Sequence, residues 1–233
     1  MGLSRKVNHD FFKEWTPEMA YVLGFFAADG SMIRNARGGC FIEFHNTNRP
    51  LLLKIRRALG SNHALGSRPG KAQWKIRHRL QIGSKVMFAD LQYLGFVQNK
   101  ANRVALPAIP SPHLSHYLRG YFDGDGNVYF KKHFAKDRGK ERWVFNCRFT
   151  SGSLAYLQDL HILTREKGCS GGFITHKNRG YELVFSHKDS VALFKIMYDT
   201  VPTTGLYLPR KYRLFRRAIK TLYPHNAGVA QFG

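Results

Sequence analysis

Residues 22–30 read VLGFFAADG and residues 118–126 read LRGYFDGDG, with the same glycine, aromatic pair, small residue, aspartate and glycine at the same offsets. A duplicated nonamer constrains the fold more than any other feature, because it predicts two copies of one structural unit. Before the first copy, Thr16 stands as a helix N-cap and Pro17 at the first helical position, so a helix is predicted to start there and run through the motif. Gly24 with Ala28, and Gly120 with Gly124, are four residues apart and share one helix face. Small residues stacked this way predict two helices in close backbone contact. Gly30 and Gly126 are expected to close their helices in the left-handed conformation.

The segments after each copy correspond element by element. The first runs through strand-like CFIEFHN, helical RPLLLKIRRALG, strands around QWKIRHRLQIG and helical SKVMFADLQYLGF. The second runs through WVFNCRFTS, LAYLQDLHILTREKG, GGFITHKNRGYELVFSH and SVALFKIMYD. Asp29 and Asp125 are 96 residues apart and Phe44 and Phe149 are 105 apart, so the second copy carries a longer first hairpin around KKHFAKDRGKER. ALPAIPSPHL, with three prolines and no periodic pattern, reads as the connection. The boundary is placed near Ser111, giving repeats over 1–110 and 111–233.

Lysine and arginine outnumber aspartate and glutamate by 37 to 15, for a formal charge of +22. Such an excess, spread along the chain, points to a polyanion partner. Cys40, Cys147 and Cys169 lie too far apart in sequence for paired zinc ligands or a disulfide framework. No apolar run is long enough to cross a membrane, and MGLSRKVNHD has neither an apolar signal core nor a myristoylation signal, so an intracellular, non-secreted protein is expected.

In this basic context the acids of the motif need a reason. Asp29 and Asp125 would end their helices, where the macrodipole disfavours negative charge, and parallel helices would bring like charges together. A divalent cation removes the conflict. Hard oxygen ligands suit magnesium, which can also bridge to phosphate, and metal, carboxylates and a phosphodiester together suit backbone hydrolysis.

Both nonamers resemble the LAGLIDADG motif of the homing endonucleases, and the αββαββα order of each half is similar to that family's repeat. The resemblance implies a mixed α/β fold of two pseudo-symmetric αββαββα repeats, each with a curved antiparallel sheet, packed through the two motif helices. It assigns metal binding to Asp29 and Asp125 with the carbonyls of Ala28 and Gly124, and the cofactor as Mg2+ or another divalent cation such as Mn2+. It places a lysine late in each repeat, here Lys100 and Lys211, and polar residues ordering water at the end of the second strand, here Asn46 and Ser151 with the register open by one. The sequence departs from the motif at the sixth position, with Ala27 in one copy and Asp123 in the other.

Alternation predicts how the sheets meet a duplex. Lys75, Arg77, Arg79 and Gln81 fall on one face, opposite Trp74, Ile76, Leu80 and Ile82. Arg142, Asn146, Arg148 and Thr150 fall opposite Trp143, Phe145, Cys147 and Phe149. Arginine and glutamine can read base edges in the major groove. The resemblance turns Ile33, Asn35 and Arg37, and in the other half Tyr129 and Lys131, toward DNA. Glu43, His45 and Arg68, with Lys177 and Arg179, complete the expected interface.

The expected function is a monomeric, divalent-metal-dependent endonuclease that cuts both strands of a long asymmetric double-stranded DNA site. The rivals are an intron maturase holding folded RNA and a DNA-binding regulator without chemistry. The acids present in both motifs favour the nuclease.

Overall fold

The structure, a computed structural model, describes residues 5–69, 75–98, 105–178, 180–199 and 205–224. It divides into two compact units: Met1–Gly124 with Pro202–Leu206, and Asp125–Val201 with Tyr207–Gly233. The repeat boundary near Ser111 therefore differs from the packing boundary, because the second motif helix packs with the first.

In the first unit, α1 (Pro17–Asp29) leads into β1 (Gly30–Arg34), β2 (Cys40–Asn46), α2 (Arg49–Ala58), β3 (Leu65–Arg68), β4 (Arg77–Gly83) and α3 (Lys85–Tyr93). α1 starts as predicted, with Thr16 Oγ1 accepting the Met19 N–H at 3.1 Å and Pro17 in the first turn. The sheet is antiparallel in the order β1-β2-β4-β3. Its inward residues, Met32, Ile42, Phe44, Leu80 and Ile82, meet apolar residues of α1 to α3 in the core. Ile76, placed by alternation on the packed face, is 53% exposed because the strand begins only at Arg77.

The motif helix α4 (Leu114–Asp125) crosses from the first unit into the second. In the second unit β5 (Gly126–Ala135), β6 (Lys140–Ser151), α5 (Leu154–Glu166), β7 (Phe173–Lys177), β8 (Gly180–Ser186) and α6 (His187–Tyr198) repeat the first series. The sheet order β5-β6-β8-β7 repeats as well. β5 and β6 are each five residues longer than β1 and β2, with a connecting turn one residue shorter, which accounts for the offset of nine seen in sequence. A further helix, α7 (Pro209–Leu222), follows α6 and buries Lys211, Phe215, Ala218 and Ile219, leaving Arg210, Arg213, Arg217 and Lys220 exposed.

Gly30 corrects one expectation. It is extended, with φ −93° and ψ 162°, so α1 passes directly into β1 without a left-handed cap. Glycine is required there by packing, since a Cβ would collide with the Phe26 ring and come 2.6 Å from the Phe26 carbonyl oxygen. Gly126 likewise opens its strand.

The contact between α1 and α4 follows the small-residue faces. A Cβ at Gly24 would strike the Tyr117 carbonyl, one at Gly120 the Tyr21 carbonyl, and one at Gly124 the Ala28 side chain. Tyr21, Gly24 and Ala28 thus meet Gly120, Tyr117 and Gly124, the glycine of each helix lying against the tyrosine carbonyl of the other. Backbone lies against backbone with no room for side chains, as the spacing predicted.

A polar group crosses this otherwise apolar contact. Tyr21 donates its hydroxyl to Asp123 Oδ2 at 2.7 Å, and the Arg119 guanidinium lies 5.6 Å from the Tyr21 ring centre. Arg119, fully buried, donates from Nε to the Leu206 carbonyl at 3.1 Å and from Nη2 to His116 Nδ1 at 2.8 Å. Burial, with the cation of Arg119 second and His113 third, lowers the pKa of His116 to about 4.

Candidate nucleic acid interface and catalytic carboxylates

Asp29 is the last residue of α1, and Asn46 the last of β2. Asn46 donates from Nδ2 to Asp29 Oδ2 at 2.8 Å, and its Oδ1 accepts the Asn48 backbone N–H at 2.8 Å. Asn48 in turn caps α2, its Oδ1 accepting the Leu51 N–H at 2.9 Å. The start of α2 therefore fixes the Asn46 amide, and the amide fixes the carboxylate. A Cβ on Gly124 would stand in ordinary contact, 3.6 Å, with the same Asp29 oxygen, and it is the Ala28 side chain that excludes it.

The second repeat builds the same turn. Ser151 ends β6 and its Oγ accepts the Ser153 N–H at 3.1 Å, while Ser153 caps α5 through the Tyr156 N–H at 3.2 Å. Strand pairing fixes the equivalence of Asn46 and Ser151: Gly30 pairs with Phe44 and Gly126 with Phe149, so both residues lie two positions beyond the partner of the motif glycine. Asp125 closes α4 as Asp29 closes α1.

Lys211 is 4% exposed in the first turn of α7. Lys100 lies outside the described residues, as do Trp74 and Arg179.

Asp29 and Asp125 each end a motif helix, and their carboxylates are hard oxygen ligands. Among the described residues no group of three or more His, Cys, Asp and Glu side chains comes together. That donor set fits magnesium, which keeps several waters and is commonly held by one or two carboxylates plus substrate phosphate. Burial pushes the Cys147 and Cys169 thiols up, Cys169 to about 12, which makes neither a ready thiolate ligand.

Strand register places the expected interface residues on common faces. Directly paired residues share a face, and in the first sheet Ile33 pairs with Phe41, Glu43 with Gln81, His45 with Arg79 and Arg68 with Arg77. Lys75 lies two residues before Arg77, outside the strand. Asn35 and Arg37 lie in the β1–β2 turn, where Asn35 Oδ1 accepts the N–H groups of Arg37 at 3.1 Å and Gly39 at 2.8 Å. Glu43 lies on the same outer face as Gln81 but is covered there by its neighbours: its side chain is 5% exposed and occupied by Arg79, His45, Gln81 and Ser31.

In the second sheet Tyr129 pairs with Asn146, Lys131 with Val144, His133 with Arg142, Thr150 with Glu182 and Lys177 with Gly180. Tyr129 hydrogen-bonds to His133 with their rings stacked, and Arg148 donates to Glu182 Oε2 at 3.1 Å. Arg119, Asp123, Glu182 and Ser31 were not among the sequence candidates.

Two repeats of this kind, each with an acid-ended helix leading into a four-stranded antiparallel sheet with a polar outer face, define the fold of the LAGLIDADG homing endonucleases. Residues 16–88 match the LAGLIDADG-like domain. Among solved structures, the meganuclease I-SmaMI bound to uncleaveable DNA matches with 14% identity and a TM-score of 0.62, over 91% of this chain and 92% of that one. I-AabMI bound to uncleaved DNA matches with 13% identity and a TM-score of 0.61, over 92% of each chain. I-WcaI bound to its DNA recognition sequence matches with 16% identity and a TM-score of 0.60, over 88% and 90%. No curated protein matches the sequence. Among the described residues no helix is long and apolar enough to cross a membrane.

Proposed function

We propose that this chain is a monomeric, site-specific endonuclease that hydrolyses both strands of a long asymmetric duplex with the help of a divalent cation. The observation that carries the reading is the duplication itself: an aspartate ending a close-packed motif helix, followed by a sheet whose outer face bears arginine, lysine and amide side chains. Structural relatives are bound to DNA, and one of them, I-SmaMI, is seen both with cleaved DNA and with an uncleaved target in the presence of calcium ions.

Asp29 and Asp125, with the carbonyls of Ala28 and Gly124, would hold magnesium or manganese. The bound cation would supply charge neutralisation at the scissile phosphate and lower the pKa of an attacking water. The chain's own groups do the positioning. Asn46 orients the Asp29 carboxylate, and Lys100 and Lys211 are assigned to the charge that develops on phosphorus. The two sheet faces carry sequence choice, and since they differ in residues and length the target is asymmetric. An intracellular setting follows from a DNA substrate.

Incubating the protein with a randomised duplex library and magnesium, then sequencing the ends, tests this reading. Ends clustered at one sequence, produced only with divalent metal, are expected. Binding without ends, or preference for folded RNA, would overturn it.

A further inference from the structure

Glu43 is an acid in the middle of a face that the proposed function assigns to a polyanion, and it is 4% exposed. Its carboxylate gathers side chains from three strands. Oε1 accepts from Gln81 Nε2 at 2.7 Å and Arg79 Nη1 at 3.1 Å, while His45 Nε2 lies 3.0 Å and Ser31 Oγ 3.4 Å from Oε2. Arg79 and His45 remain 37% exposed, so the bonds hold their inner edges and leave the outer ones to a ligand.

The second sheet has its own acid on the corresponding face, Glu182, with its side chain 16% exposed. Arg148 donates from Nη1 to Glu182 Oε2 at 3.1 Å and from Nη2 to Asn146 Oδ1 at 3.2 Å, and Lys177 Nζ lies 3.8 Å from the same Glu182 oxygen.

We propose that Glu43 and Glu182 are positioning residues that set the hydrogen-bond polarity each sheet presents to duplex DNA. This inference rests on the sheet faces being the DNA interface. A carboxylate only accepts, so it orients whatever donates to it. Held by Nε2, Gln81 turns its carbonyl oxygen away from Glu43 and offers an acceptor, suited to the exocyclic amine of adenine or cytosine in the major groove. Asn146 has the opposite constraint. Its oxygen is taken by Arg148, so it offers N–H donors, suited to guanine O6, thymine O4 or a purine N7. The acids thus convert two amides, each able to turn over, into readers of fixed sense.

The test is selection from a randomised duplex library by binding in the presence of a chelator, for the parent, Gln81→Ala, Asn146→Ala, Glu43→Gln and Glu182→Gln, with thermal melts to confirm folding. Gln81→Ala and Asn146→Ala locate the base pair each amide reads. At the Gln81 position the parent is expected to favour an amino base over a keto base about tenfold or more. Glu43→Gln, which frees the amide to turn over, should reduce that preference to under about threefold, with the salt dependence of binding unchanged. Glu182→Gln should do the same at the Asn146 position, and it keeps the inference testable if the first variant does not fold. Unchanged preference in folded Glu43→Gln and Glu182→Gln, from a parent that selects a sequence, would overturn the polarity assignment alone. A parent that selects no sequence would overturn the endonuclease reading and this inference with it.

Discussion

Asn46 donates to Asp29 at 2.8 Å while accepting the Asn48 backbone N–H at the same distance, so one amide ties the carboxylate at the end of α1 to the first turn of α2. Ser151, at the equivalent place in the other repeat, keeps the bond to the backbone two residues on. Asn46→Ser should therefore preserve the turn and remove the support of Asp29. A hydrogen bond to a charged group contributes about 1.5–3 kcal/mol, so its loss is expected to lower the melting temperature and, by freeing the carboxylate, to slow cleavage about tenfold or more. Single-turnover rates on the selected site, beside a melt, check this.

Binding and cutting should separate at the acids. Asp125→Asn is expected to abolish double-strand cleavage while leaving specific binding within about tenfold, or roughly 1.4 kcal/mol. Loss of binding in a folded variant would identify Asp125 as structural rather than catalytic.

The close approach of α1 and α4 predicts intolerance to any side chain at Gly120. An added Cβ would meet the Tyr21 carbonyl oxygen, a backbone atom that cannot swing aside. Even Gly120→Ala should be destabilising, and Gly120→Leu by about 1–3 kcal/mol or more. Denaturant midpoints for the two variants decide it, and parental stability in both would refute the packing argument.

His116 predicts a loss of stability in mild acid. Its pKa is lowered to about 4 in the folded protein, with burial the largest cause, while the unfolded chain titrates near the ordinary 6.5. Between those values the unfolded state binds a proton that the folded state refuses, so this contribution is fully present above about pH 6.5 and lost as the pH falls toward 4. The loss should reach roughly 3 kcal/mol. Melts across this range should show the fall, and His116→Gln should flatten that part of the profile.

Base-reading and phosphate-neutralising cations should differ in their signatures. Arg77→Ala is expected to cost about 1–3 kcal/mol on the selected duplex and relax preference at the base it reads. Lys131→Ala should weaken all duplexes alike and lower the salt slope by about one unit. Affinities for matched and scrambled duplexes over a salt series separate the two. Equal weakening of both duplexes by Arg77→Ala would show that the sheet does not read bases there.

Much of this was legible in the sequence because the signals are periodic. The doubled nonamer gave the repeat, a period of two gave the faces of β4 and β6, and the four-residue spacing of glycine and alanine gave the contact between motif helices. What stayed hidden depends on neighbours across strands. Alternation puts Glu43 on the outer face, but only the pairing of three strands brings Ser31, Arg79 and Gln81 around it. Arg119 reads as a surface cation until the Leu206 carbonyl and His116 are found beside it. In α7 Lys211 stands on the buried side with Phe215, Ala218 and Ile219, a place that no sequence pattern signals for a lysine. The glycine at position 30 was legible as a necessity, but for the wrong reason, since the Phe26 ring rather than backbone torsion excludes a side chain.

The unequal hairpins set a ruler. Five extra residues on each strand of β5–β6, at about 3.3 Å per residue, lengthen that ribbon by roughly 17 Å. With both sheets laid along a duplex as proposed, at about 3.4 Å per base pair, the longer arm would reach about five base pairs further than its counterpart. A chain that began as two copies of one unit would thereby cover a footprint with a long side and a short side, and polarity on the duplex would be settled by reach before any base is read.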